Sequence, residues 1–377
     1  MTKRIVALAI AAAASGSAMA QSSVSLYGNI DLGMMYRSGS SGAVTSGQSE
    51  RAVQSAASES YIGFKGAEDL GNGLKAVFDL QYLFEADVGG ALESGRSYVG
   101  LSGGFGTVLA GYLDGLRYGI YGKYNPFGNY SVGNFASMTT QYDRAANAVA
   151  YVSPALGGFT LILATATNTQ GPEGSLNAIH TTPGVPTEGN NGDDRLFSIN
   201  LIYANGPLSV DLDYETTKAV GYANSRLYVV TGGASYDFGA LKLSGVYDII
   251  RGDPDSLIGG NIDLNPGMPG HQNLGGLAAD QRYDRRNWFV GVEVPFGATR
   301  LLASYGQVKD RTLTDADARK WAVGVRHTLS KRTQLYADYA QIKNDDNAGF
   351  TINPMGNSLG LSGVGVKGIA IGMKHSF

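Results

Sequence analysis

Few side chains in this sequence are arranged for bond-making chemistry. Gly100-Leu101-Ser102-Gly103-Gly104 matches the G-x-S-x-G pattern of a nucleophile elbow, which needs a strand before the serine and a helix after it. The residues that follow, Thr107–Leu113, alternate like a strand, and His180, His271, His327 and His375 offer no evident partner for Ser102. A hairpin turn is the expectation. Asp211 and Asp213 lie two apart on one strand pattern, so their carboxylates share a face about 6–7 Å apart. General acid–base work would need a nucleophile or a second element that the chain does not offer, and lining water is the better reading of both. Asp253 and Asp255, and the pair Asp193-Asp194, cluster oxygen ligands as hard cations prefer. They lack the spacing of a calcium loop, so solvated loops are expected, with no metal and no cofactor.

The remaining charged residues suit passage better than reaction. Lys65, Lys75, Arg96 and Arg144 share one parity on neighbouring strand-like stretches. Asp114, Arg117 and Lys123 belong to Tyr112–Met138, YLDGLRYGIYGKYNPFGNYSVGNFASM, which holds five Tyr and five Gly. No 3.6-residue stripe is read in it, and it is too long for a hairpin turn. Loops longer than about 12–15 residues are usually functional or disordered, and the aromatic content argues against disorder. The reading is a loop folded into a tube and narrowing it, with its three charges opposite the four basic residues. Charges of opposite sign across a gap create a transverse field that orients dipolar solutes and biases ions. The alternative for Arg96 and Arg144 is that they only tie the loop to the wall.

Such a loop needs a tube around it. The first twenty residues read as a secretory signal: Lys3 and Arg4, an apolar run from Ile5 to Ala14, and the small-residue site Ala18-Met19-Ala20. The run is too short to span a bilayer as a helix. The expected domains are therefore a signal peptide, 1–20, and one barrel, 21–377. Formal net charge is −3, and loss of Lys3 and Arg4 makes the exported chain more acidic, which argues against nucleic acid as partner. Cysteine is absent, so stability must come from burial or from closed hydrogen bonding.

Period-two patterning supplies that closure. In Val24–Met34 the even positions are apolar or Gly, while odd ones include Ser25, Asn29 and Asp31. The pattern recurs to the last residue. Connections alternate between short Gly/Asn/Asp/Pro turns and long polar loops such as Ser38–Ala57, Asn168–Asp194, Ile249–Asp284 and Gln341–Ser362, as in outer-membrane barrels. About sixteen strands fit, enough for an aqueous channel. Parity sends Leu208, Val210, Leu212 and Tyr214 outward and Ser209, Asp211, Asp213 and Glu215 inward, where water removes the cost of burying acids. His327 and His375 fall on the outward parity. The final strand, Gly365–Phe377, should pair with Val24–Met34 and leave no edge.

Several stretches resemble the trimeric general porins of Gram-negative bacteria, most of all their β-proteobacterial branch. They are QSSVSLYGNIDLG, GFKGAEDLGNGLKAVF, SYVGLSGGFGTVLAGY, YANGPLSV, SYDFG-x-x-KLSG-x-Y, LSKRTQLYADY and the terminal G-x-K-HSF. The resemblance runs along the whole exported chain. It implies a sixteen-stranded transmembrane antiparallel β-barrel, three per assembly, with the third outer loop folded in as an eyelet. It also implies that Phe377 is part of the signal read by the barrel-assembly machinery. Relatives often carry Arg where this chain has Tyr112 or Leu113 and Ala150, and an acid-rich segment where it has Asn125-Pro126-Phe127-Gly128, so one wall is less basic here. The expected function is passive diffusion of small hydrophilic solutes and ions across the outer membrane, without catalysis. The alternatives are a substrate-preferring channel and, further off, an outer-membrane enzyme or adhesin. Expected partners are two further copies of the chain, outer-membrane lipid and the assembly machinery.

Overall fold

The computed structural model describes residues 23–38, 49–139, 144–167, 195–218, 226–253, 283–312, 316–352 and 363–377. The signal segment 1–20, His180, Asp193-Asp194, Asp255 and His271 lie outside them.

Among the described residues, seventeen antiparallel segments form one closed sheet. In chain order they are β1 (Ser23–Ser38), β2 (Ser49–Gln54), β3 (Tyr61–Gly71), β4 (Leu74–Leu83), β5 (Glu93–Gly103) and β6 (Gly106–Asp114), then β7 (Arg144–Val152), β8 (Phe159–Ala166), β9 (Arg195–Asn205), β10 (Leu208–Lys218) and β11 (Arg226–Asp237). The remainder are β12 (Lys242–Gly252), β13 (Tyr283–Phe296), β14 (Thr299–Asp310), β15 (Ala318–Thr328), β16 (Thr333–Asn344) and β17 (Val366–Ser376). One edge of β1 pairs with β17, from Asn29 opposite Ser376 to Ser38 opposite Lys367. Its other edge pairs with β3 over Ser23–Asn29 and with β2 over Gly33–Ser38. β2 and β3 are thus two halves of a single stave, and the barrel has sixteen. Closure satisfies every strand edge, the condition for crossing hydrocarbon with strands. The last residue takes part: the Phe377 amide donates to the Gly28 carbonyl (3.1 Å) and the Gly28 amide to the Phe377 carbonyl (3.2 Å).

Parity holds. Leu212, Tyr214, Leu243, Tyr247, Val290, Leu335, Ile369, Ile371 and Met373 are exposed on the outer face, while Asp211, Asp213, Glu215, Asp248 and Asp338 are buried within. His327 and His375 are exposed on outward parity, their Nδ1 atoms 2.9 Å from the Thr299 and Thr333 hydroxyls. The G-x-S-x-G stretch is the β5–β6 hairpin, with Ser102 2.9 Å from the Thr107 hydroxyl.

Three features depart from expectation. The second stave is interrupted at Ser55–Ser60, where Asp31 Oδ1 accepts the amides of Ala56 (2.6 Å) and Ala57 (3.2 Å) and Asn29 donates to the Glu59 carbonyl (2.8 Å). The inner acids do not line water, because the inward loop covers them. Asp211, Asp213, Glu215 and Asp248 are each at most 3% exposed. Finally, the start of the last outer loop folds inward. Ala348, Phe350 and Ile352 are fully buried, Arg37 donates to the Ile352 carbonyl (2.9 Å), and the Asn344 side chain holds the Phe350 carbonyl (2.8 Å).

Candidate functional site

The chain leaves β6 at Asp114 and turns into the barrel. Its first inward element is a helix, α1 (Leu116–Tyr124), followed by a single 3-10 turn at Ala136–Met138. The helix was not legible as one, for a physical reason. Its buried residues are Arg117, Ile120, Tyr121 and Tyr124, the i, i+3, i+4, i+7 spacing of an amphipathic helix. Arg117 counts as polar in any apolar pattern, and Gly119 and Gly122 depress helix propensity.

The buried stripe meets a wall prepared for it. The Arg117 guanidinium pairs with Asp248, donates to the Thr231 hydroxyl (3.0 Å) and to the Thr139 hydroxyl (2.6 Å), and is fully enclosed. Burial disfavours its charge, but Asp248 outweighs that and holds its pKa above the ordinary arginine value. Tyr121 donates to Asp248 and Tyr124 to Asp211, and Lys123 reaches the same Asp211 at 2.5 Å. Further along, Ser131 donates to Asp338 (2.6 Å), and the Lys320 ammonium is held by the Asn134 carbonyl and the Ser137 hydroxyl (3.2 Å). Apolar packing completes the seam: Tyr121, Phe135 and Phe289 have ring centroids 5.4–6.5 Å apart. Wall glycines admit the loop. A Cβ at Gly233 would lie 2.4 Å from the Tyr124 ring, at Gly291 2.5 Å from Pro126, and at Gly306 2.4 Å from Phe135.

The loop therefore lies against β10–β17 and leaves open the side lined by β1–β7. There Asp79, Arg96, Asp114, Arg144 and Glu59 form a chain of alternating charge. Its contacts are Arg96–Asp79 at 3.0 Å, Arg96–Asp114 at 2.9 Å, Arg144–Asp114 at 3.3 Å and Arg144–Glu59 at 3.0 Å. Tyr27 donates to Asp79 at its lower end. The interruption of the second stave is what turns Glu59 into the lumen.

An outer cavity of about 600 Å³ is lined by residues including Glu59, Glu85, Asp87, Glu93 and Tyr130. An inner cavity of about 410 Å³ lies below it, lined by Glu59, Tyr118, Asn129, Tyr130, Arg300 and Lys374 among others. Glu59 and Tyr130 border both. Burial and then the carboxylates of Glu59, Asp31, Glu85 and Asp87 push the Tyr130 phenol above its usual pKa, so it is a neutral donor there.

The expected charge arrangement is corrected at three residues. Asp114 does not face Arg96 and Arg144 across a gap; it lies between them on the same wall, because β6 extends to include it. Arg117 does not project into open space, because Asp248 and Thr231 hold it behind the loop. Lys123 is partly exposed but tied to Asp211 on the far wall. Lys65 sits over the Tyr27 ring (4.9 Å), and Lys75 lies one residue past the pair that closes the β3–β4 turn, so neither contacts the loop. Glu59, Tyr118, Asn129 and Tyr130 are not legible in the sequence as lining residues. Their signal is weak: a carboxylate in a serine-rich break, and uncharged loop residues.

A closed barrel with one loop folded across its lumen and a polar path beside it defines a transmembrane channel. Residues 7–347 match the Gram-negative porin family. The chain is 32% identical to outer membrane porin protein 32 of Delftia acidovorans, covering all of both. Its fold matches an anion-selective porin from Comamonas acidovorans (TM-score 0.74, 26% identity, 95% of this chain and all of that one). It also matches OmpT, an outer-membrane protein of Vibrio cholerae, in its trimer form (TM-score 0.64, 13% identity, 94% and 99% covered). The chain belongs to the Gram-negative porin family, and it is a passive channel for small solutes in the outer membrane.

Proposed function

We propose that solutes pass between the uncharged loop face of Tyr118, Asn129 and Tyr130 and the charged chain Asp79–Arg96–Asp114–Arg144–Glu59, with the loop setting the width. The observation that supports this is the shared lining: Glu59 and Tyr130 border both cavities, the arrangement expected if the narrowest passage lies between them. Charge fixed on one side and neutral hydrogen-bond donors on the other favour small dipolar and ionic solutes over apolar ones. Arg117 and Lys123 act as loop anchors in this scheme, and Lys65 and Lys75 give the periplasmic mouth its field.

Assembly as a homotrimer is part of the proposal, supported by the trimer form of the Vibrio cholerae neighbour. So are a mature chain beginning at Gln21, lipid packed around the apolar outer band, and recognition of the strand ending in Phe377 by the assembly machinery. The test is planar-bilayer recording of purified protein, which should show openings in steps of three. Tyr130→Ala should raise single-channel conductance. An unchanged conductance would place the constriction elsewhere.

A further inference from the structure

The outer face of the barrel carries a pattern that passage through the lumen does not use. On β11–β16 its apolar band ends, toward the long loops, in a row of rings that includes Tyr228, Trp288, Tyr305, Trp321 and Tyr339. Girdles of this kind mark the level where hydrocarbon gives way to headgroups. Basic side chains stand one pleat beyond it. Arg226 precedes Tyr228 by two residues, Arg286 precedes Trp288 and Arg319 precedes Trp321. Each cation therefore shares its ring's face, about 6–7 Å nearer the loops. Long loops make this the outer rim.

Register sets these cations side by side. Lys218 is directly opposite Arg195 on one neighbouring strand and Arg226 on the other. Arg286 is opposite Lys309, and Arg319 is opposite Lys343. Like charges so placed, with Cβ atoms about 4.5–5.5 Å apart, destabilise the sheet unless an anion is shared between them. The rim's own acids serve only part of the row: Asp284 takes Arg251 at 3.4 Å, and Asp317 takes Lys309. Lys218, Arg319 and Lys343 are exposed, and no ion pair or hydrogen bond reaches their side chains among the described residues. Arg226 rests over the Tyr228 ring (6.0 Å). Across β3–β8 the pattern is missing. The basic residues of those strands are Lys65, Lys75, Arg96 and Arg144, none of them on the outer face at this rim. Solubility alone gives no reason to gather cations on one arc, at one height, above aromatic rings.

We infer that this arc of the outer rim is a docking surface for lipids whose headgroups end in a phosphate monoester, each phosphate lying between two cations of neighbouring strands. A monoester carries about 1.5–2 negative charges near neutral pH and three acceptor oxygens, enough for both members of a pair. Arginine supplies N–H donors in a fixed fork and lysine a point charge. Acyl chains of the same molecule lie down the apolar band beneath, so one lipid meets the girdle and the rim together. This rests on the lipid packing proposed above, and adds which headgroup is held and on which arc.

The chain has two tryptophans, Trp288 and Trp321, and each lies one pleat beneath an arginine of the rim. The test is quenching of their fluorescence by bromine-labelled lipids, with the folded protein in phosphatidylcholine vesicles. Brominated phosphatidic acid should quench as a lipid held about fivefold or more tightly than brominated phosphatidylcholine. Arg286→Gln, Arg319→Gln and Lys343→Gln combined should bring that preference to about twofold or less, with the circular dichroism of the sheet unchanged. Lys331→Gln with Arg332→Gln removes two charges in the β15–β16 turn, at the opposite rim, and should leave the parental preference in place. Excess inorganic phosphate should also leave it in place. Loss of the preference to free phosphate would mean a site for small anions, and equal preference for brominated phosphatidylglycerol would mean diffuse charge without a shared phosphate. Either result overturns the assignment, as does a triple variant with the parental preference or a turn variant that loses it. Failure of brominated phosphatidylcholine itself to quench would instead overturn the lipid packing.

Discussion

Arg117 and Asp248 form a fully enclosed ion pair joining a loop to a barrel wall. Removing one member of such a pair strands the other without compensation, at a cost of about 3–5 kcal/mol. Arg117→Ala should therefore free the loop rather than change pore charge, giving noisy, larger conductance, and Asp248→Asn on that background should quieten it. A variant that shifts ion selectivity with quiet channels would mean that Arg117 faces the pore. The tyrosines beside it set a second expectation. Burial, then Asp248, raise the Tyr121 phenol well above 10.0, and burial, then the bond to Asp211, raise Tyr124. An acid whose pKa is raised in the folded state gives stability that is complete below its free value and lost as pH climbs through the raised one. Conductance should accordingly stay flat up to pH 10 and rise only beyond it, measured on one membrane as pH is stepped. A rise already complete at pH 10 would mean that these phenols do not anchor the loop.

At the scale of elements, strands were legible and the loop's interior was not. Two-residue alternation places a side chain inside or outside, which is why Val24–Met34 reads off the sequence as a strand and lies within β1. Alternation cannot distinguish an inside that is wet from one that another segment fills. Asp211 and Asp213 point inward as their parity requires, yet the side that seemed open to water is covered by α1. The break in the second stave also escaped notice, because its cause is Asp31 on a neighbouring strand rather than any local breaker. Glycines carry information that alternation does not use. In strands they read as weak positions, but Gly233, Gly291 and Gly306 lie where loop side chains press closest. Gly233→Ala puts a methyl 2.4 Å from the Tyr124 ring and 2.9 Å from Ile120, its nearest neighbours. It should push α1 toward the charged chain and lower conductance, with the circular dichroism of the sheet unchanged. Equal conductance in parent and variant would show that the helix is not seated on that wall.

For the molecule as a whole, barrel and loop are separable in stability but not in function. The sheet closes through backbone pairing of β1 with β17, hydrogen bonds in which the loop takes no part. Deleting Tyr118–Asn134 should leave a folded barrel with raised single-channel conductance and weakened discrimination by solute size, read from liposome swelling with sugars of increasing mass. A deletion variant with parental conductance would mean that the width is set by the walls. Acids above the loop and cations below it also make the path polar along its length, so current should differ when the applied voltage is reversed.

The inward turn of the last outer loop has a consequence for how the two ends of the barrel are held. Ile352 and Val132 meet over Gly368, and Phe350 lies in the same packed seam. Residues near the end of the chain thus pack against both the inward loop and β17, the strand that closes on β1. On the β1 side, Arg37 donates to the Ile352 carbonyl. The closing seam is held along its edge by backbone hydrogen bonds and from the lumen by side chains. Loss of the inward loop leaves the first support and weakens the second.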